Sequence, residues 1–156
     1  MRHRRSRLRV LAIVGFAACL AAFISGCDET PTSSGDLLDI PSAMARNGVT
    51  ITNSIAGGSA CPSQALADNA LHLTVATAAD PQPRDVYLYD FRAASFASTD
   101  PQVDACVTEY ELANGGQTAD RIDVAPFRAI GMGWSDDLKR DIQAALLDSL
   151  TGGAGQ

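Results

Sequence analysis

Apolar and polar positions recur along this chain with different periods, and each period predicts a different kind of segment. Val49, Ile51 and Ile55 alternate with Thr50, Thr52 and Ser54, which predicts a strand with one buried face. Leu71, Leu73 and Val75 alternate with His72, Thr74 and Ala76, a second strand. After the turn-forming Asp80-Pro81-Gln82-Pro83, residues 85–91 are rich in aromatic and β-branched side chains. Their two faces are Val86/Leu88 and Tyr87/Tyr89/Phe91, and pairing with the preceding strand as a hairpin is expected. The apolar stretch from Phe127 to Met132 predicts a fourth strand.

Helical spacing is clearest at the end of the chain. Ser135 is placed to cap, and Asp136 and Asp137 complement the helix dipole. Leu138, Ile142, Ala145, Leu146 and Leu150 form one apolar stripe. A short helix is predicted near the start of the ordered part, with Asp39 as cap, Pro41 in the first turn and Gly48 just past the end. Cys61-Pro62 opens a single helical turn through Leu66. Between Asp100-Pro101 and Asn114-Gly115-Gly116 two periods compete. Val103, Cys106, Val107 and Tyr110 fit a helix, whereas Cys106, Thr108, Tyr110 and Leu112 fit a strand; the Asp-Pro start favours the helix. Together these elements predict an α+β domain over residues 36–151: a small sandwich of about four mostly antiparallel strands with helices packed on one face.

The first part of the chain follows another rule. Arg2, Arg4, Arg5, Arg7 and Arg9 precede an apolar run of fifteen residues, 10–24. A membrane-spanning helix needs about 20 such residues. A basic head, a short apolar run and a small-residue exit read as a secretory signal, with an uncleaved anchor as the bland alternative. The exit, Ile24-Ser25-Gly26-Cys27, resembles the lipobox of bacterial lipoproteins. That resemblance implies that cleavage falls between Gly26 and Cys27, that Cys27 carries the lipid, and that residues 1–26 are a signal peptide. It also implies a lipid-anchored position on the outer side of the cell membrane, where several acyl chains hold firmly and one does not. Residues 27–35 read as a polar, turn-rich tether and residues 152–156 as a frayed tail.

Removing the predicted signal changes the charge and the cysteine count. The remaining 130 of the 156 residues hold seven basic and eighteen acidic side chains, a balance of −11 against −6 for the whole chain. Such a balance argues against nucleic acid as a partner. Of four cysteines, Cys19 leaves with the signal and Cys27 is consumed by lipid. Cys61 and Cys106 remain, and an oxidising compartment predicts a disulfide between them; two separate buried thiols are the alternative.

Candidate chemistry is sparse. His72 is the one histidine after the predicted signal, too few for a zinc site of the usual kind, and no Gly-x-Ser-x-Gly elbow mounts a nucleophile for it. Neither a metal nor another cofactor is expected. Asp104 with Glu109 or Glu111, and Asp120 with Asp123, are available carboxylate pairs, but neighbours in sequence need not face each other across a cleft. Gly131-Met132-Gly133 lacks the third glycine of a dinucleotide loop and fits a strand end before the Ser135 cap. Tyr87, Tyr89, Phe91 and Trp134 form a candidate contact surface, with packing beneath a helix as the alternative. The expected role is a non-enzymatic binding or accessory domain of the cell envelope, whose protein or ligand partner is unspecified. An envelope hydrolase using His72 and an inhibitor presenting a rigid loop near Cys61 are the rival expectations.

Overall fold

A computed structural model describes residues 37–91 and 96–151. The predicted signal peptide 1–26, Cys27, the tether 27–35 and the tail 152–156 lie outside the described residues. Within them the chain runs α1 (Ile40–Arg46), β1 (Val49–Ala56), α2 (Gln64–Ala67), β2 (Ala70–Thr77) and β3 (Arg84–Asp90). A 3-10 turn (Ala97–Thr99) then leads to α3 (Asp100–Ala113), β4 (Asp120–Val124), β5 (Phe127–Gly131) and α4 (Asp136–Leu150). The class is α+β, as predicted.

All four strand pairings are antiparallel, in the order β1-β2-β3-β5-β4. The sheet thus has five strands rather than about four. The additional strand is β4, whose Asp120-Arg121-Ile122-Asp123-Val124 carries only two apolar side chains. It forms because β5 pairs back onto it through a tight Ala125-Pro126 turn, with Val124 opposite Phe127. That hairpin inserts β5 between β3 and the edge, so an apolar strand sits inside and a charged strand outside.

Side chains alternate across each strand, so the sheet has two faces to cover. On one, Leu73, Val75, Val86, Leu88 and Phe127 pack with Ile40 and Met44 of α1 and Leu138, Ile142 and Leu146 of α4. On the other, Ala70, Tyr89, Phe91 and Ile130 pack with Leu66 of α2 and Val103 and Cys106 of α3. Helices therefore cover both faces, not one. The physical reason lies in β3: Tyr89 on one face and Leu88 on the other are both fully buried, and each needs a layer over it. Because Val103 and Cys106 are one helical turn apart, the helical reading of α3 holds over the strand period.

Local signals act largely as anticipated. Ser135 Oγ accepts the Leu138 N–H at 3.2 Å, capping α4. Asp39 stands at the cap position of α1, but its side chain makes no capping bond; Pro41 in the first turn and Asn47 at the end define the helix instead. Asn47 Nδ2 donates to the Ala43 carbonyl at 2.8 Å, and Gly48 follows with φ +80°.

Strand β1 departs from its predicted alternation. A β-bulge shifts the register between Ile51 and Asn53, so Ile51 lies opposite Val75 while Ile55 lies opposite His72. The extra residue rotates Ile55 off the face shared by Val49 and Ile51, and it ends 47% exposed.

Cys61 and Cys106 are joined by a disulfide with a sequence separation of 45 residues. It ties the loop before α2 to the middle of α3. Tyr89 sits beneath this bridge, its hydroxyl accepting the Ala60 N–H at 2.9 Å, 3.0 Å from Ser59 Oγ and 3.8 Å from Cys106 Sγ. Closing a loop of that length stabilises the fold by about 4 kcal/mol in the chain-entropy model. Replacing both cysteines by alanine is expected to cost about that much in urea-unfolding free energy. A loss under ~1 kcal/mol would show that α3 holds its place without the bridge.

Candidate functional site

Helix α3 covers the Tyr89 row of the sheet and leaves the neighbouring rows of β1–β3 partly open. The residues there form a polar ledge. Antiparallel register places His72 opposite Tyr87 and Thr74 opposite Asp85, while Tyr110 projects from α3 at the covered edge. The His72 and Tyr87 rings stack with centroids 4.5 Å apart and 13° between planes. Tyr110 meets Tyr87 edge-on at 5.5 Å. Gly58 presses against the other side of His72: a Cβ at that position would lie 2.5 Å from the histidine Cβ, so the close approach requires glycine.

Asp85 is the acceptor of the ledge. His72 Nε2 donates to its Oδ1 at 2.9 Å and Thr74 Oγ1 donates to the same oxygen at 3.3 Å. The histidine side chain is 18% exposed and the aspartate 52%. A histidine oriented by a carboxylate is one half of a nucleophile-activating arrangement. Among the described residues the hydroxyl bonded to the pair is that of Thr74, and it donates to the carboxylate rather than to the imidazole. The ledge can therefore hydrogen-bond a ligand through Asp85 and the two phenols, while nothing in these contacts activates a serine or threonine through His72.

Burial and the nearby carboxylate hold the phenols protonated. Tyr110 is pushed up to about 12, first by burial and then by Tyr87, Asp85 and Tyr89. Tyr87 is raised by burial, then by Asp85 and Tyr89. Tyr89 is raised by burial against the lowering effect of its bonds to Ser59 and Ala60.

The predicted aromatic surface is not assembled. Tyr89, Phe91 and Trp134 are 0%, 6% and 4% exposed, and only Tyr87 reaches the ledge. Trp134 packs on the opposite face, where its Nε1 donates to the Asp85 carbonyl at 3.0 Å and its N–H to Asp120 Oδ2 at 2.8 Å. Burial is the correction to the contact-surface expectation: these rings fill the two layers. Gly131 ends β5 against the Trp134 ring and Gly133, with φ +66°, lies in the turn that follows. The carboxylate pairs are likewise engaged elsewhere. Asp104 and Asp123 both bind Arg121, at 2.6 and 2.9 Å, and Asp120 binds Lys139 at 2.7 Å. Glu111 accepts the Ala119 N–H at 2.8 Å. Among the described residues no group of three or more His, Cys, Asp or Glu is placed to hold a metal ion.

One buried charge was not anticipated from the pattern. Arg128 interrupts the apolar β5 and is only 1% exposed. Its guanidinium pairs with Asp100, reaches Asp123 at 3.3 Å, donates to the Phe96 carbonyl at 2.9 Å and lies over the Phe96 ring at 4.0 Å. An arginine inside a buried strand must find such partners, and that requirement was the available signal. Through these contacts it ties residues 96–100, at the start of α3, to the β4–β5 hairpin.

Comparison with protein-family models, with curated proteins and with solved structures finds no match to this chain.

All three tyrosines of the chain have raised pKa values, so the native protein is expected to form phenolate above the ordinary value of 10.0. For Tyr110 the folded value exceeds the unfolded one, so its stabilising contribution is complete below pH 10 and is lost as pH rises towards about 12. Ultraviolet titration of the native protein checks this, and Asp85→Asn should move the Tyr87 and Tyr110 midpoints downward. Native phenolate formation centred at pH 10 would contradict the described environment.

Proposed function

We propose that this chain is a bacterial lipoprotein, tethered through Cys27 to the outer side of the cell membrane, whose domain binds a partner without catalysing a reaction. The observation that carries the reading is Ile24-Ser25-Gly26-Cys27 placed directly after a basic head and a short apolar run. The Cys61–Cys106 disulfide supports it, since such bonds persist in oxidising compartments. The ledge at Asp85, Tyr87 and Tyr110 is the binding surface in this proposal, because it offers an exposed acceptor beside one phenol from β3 and one from α3. The acidic balance supports a protein or small ligand as the partner over nucleic acid.

The hydrogen bond between His72 and Asp85 at 2.9 Å favours one rival, an envelope hydrolase. His72→Ala separates the two. Loss of a hydrolytic activity with an unchanged fold supports the enzyme, and retained partner capture with no activity to lose supports the binding module.

Intact mass spectrometry of membrane-extracted protein tests the anchor itself. The expected mass begins at Cys27, carries acyl groups and lacks two hydrogens at the Cys61–Cys106 pair. Cys27→Ser is expected to abolish acylation and leave the chain unprocessed. A species that keeps residues 1–26 and has no added acyl mass would overturn the proposal.

A further inference from the structure

The two edges of the sheet are managed differently. Edge strand β4 is five residues long and carries Asp120, Arg121 and Asp123, the charged side chains that keep another strand from pairing with it. Edge strand β1 is eight residues long, Val-Thr-Ile-Thr-Asn-Ser-Ile-Ala, with no charge, and no described strand pairs with its outer side. Charge along the chain follows the same division. Residues 40–77 contain one aspartate and one arginine, whereas residues 78–151 contain thirteen acidic and six basic side chains.

We infer that two copies of this chain associate edge to edge through β1, antiparallel, with Ile55 of each copy facing Ile55 of the other across a two-fold axis. The backbone determines which residues can pair across that edge. The Gly57 N–H donates to the Ala70 carbonyl at 2.8 Å, and hydrogen-bonding direction alternates along an antiparallel strand. Ile55 and Asn53 therefore point their backbone groups at β2, and Ser54 and Ala56 point theirs away. A second copy satisfies them when Ser54 of one chain bonds Ala56 of the other, and reciprocally. Ile55 then occupies the close, non-hydrogen-bonded position on the axis, where opposing side chains approach most nearly.

Two observations select a second copy as the occupant. The bulge after Ile51 delivers Ile55, a large apolar side chain 47% exposed, to the unpartnered edge strand, where a two-fold axis through it buries it against its own counterpart. In addition, like charges oppose an approach through the acidic elements after residue 77, whereas β1 itself carries no charge to repel its own copy. A two-fold contact is self-complementary by construction, and in this register it pairs Ser54–Ala56 at the end of β1 in each copy.

Sedimentation equilibrium of the full chain in detergent, over a concentration series, tests the inference. The wild-type chain is expected at twice its own mass. Ile55→Lys places like charges opposite each other and should return it to the single-chain mass with an unchanged circular dichroism spectrum. As a second measurement, a photoreactive benzoylphenylalanine replacing Ile55 should give a covalent dimer joined through residue 55, while the same group replacing Arg121 should not. A wild-type chain at single mass throughout, a dimer that survives Ile55→Lys, or crosslinks only to other proteins would each overturn it.

Discussion

Strand β3 has to bury both of its faces, and the architecture follows from that requirement. Val86 and Leu88 on one side and Tyr89 on the other are each 0% exposed, so one layer of helices is not enough. The first layer is well supplied: α4 brings a long apolar stripe and α1 closes the β1 end. The second layer is thin. It consists of the four-residue α2, the loop at Cys61 and one side of α3. Native domains are stable by about 5–15 kcal/mol in total, so a crosslink contributing about 4 kcal/mol to the thin layer is a large share. The disulfide, the Tyr89 hydroxyl bonds and the Arg128 pairings all act on this same side of the sheet.

That division also explains the candidate site. Because α3 is narrow and held at Cys106, it covers the Tyr89 and Ile130 rows and stops short of His72, Thr74 and Asp85. The boundary between covered and open sheet is where half-buried phenols meet an exposed carboxylate. The chemistry of the ledge is thus a consequence of how far the second layer extends.

Much of this was legible from residue order alone. The alternation of 71–76 and the two faces of 85–91 gave the central hairpin, and Ser135 with its apolar stripe gave α4. The Cys61–Cys106 pairing followed from counting. What escaped has physical causes. Strand β4 is an edge strand with charged side chains, so it lacks the apolar alternation that marks a buried one. The bulge near Thr52 is a backbone event with no signature residue, and it reversed the side on which Ile55 lies. Burial of Tyr89, Phe91 and Trp134 depends on a helix layer contributed by distant residues. Arg128 was visible as an arginine in an apolar run, but Asp100 and Asp123 become its partners only once β4, β5 and α3 are assembled.

Native-state hydrogen exchange of the oxidised and reduced protein addresses the two-layer account most directly, because it reports stability amide by amide. Reduction is predicted to speed exchange in α3 and the loop around Ser59 and Cys61, while Leu138, Ile142 and Leu146 in α4 keep their protection. Equal acceleration in α3 and α4, or none in either, would contradict the claim that the bridge sustains one layer alone.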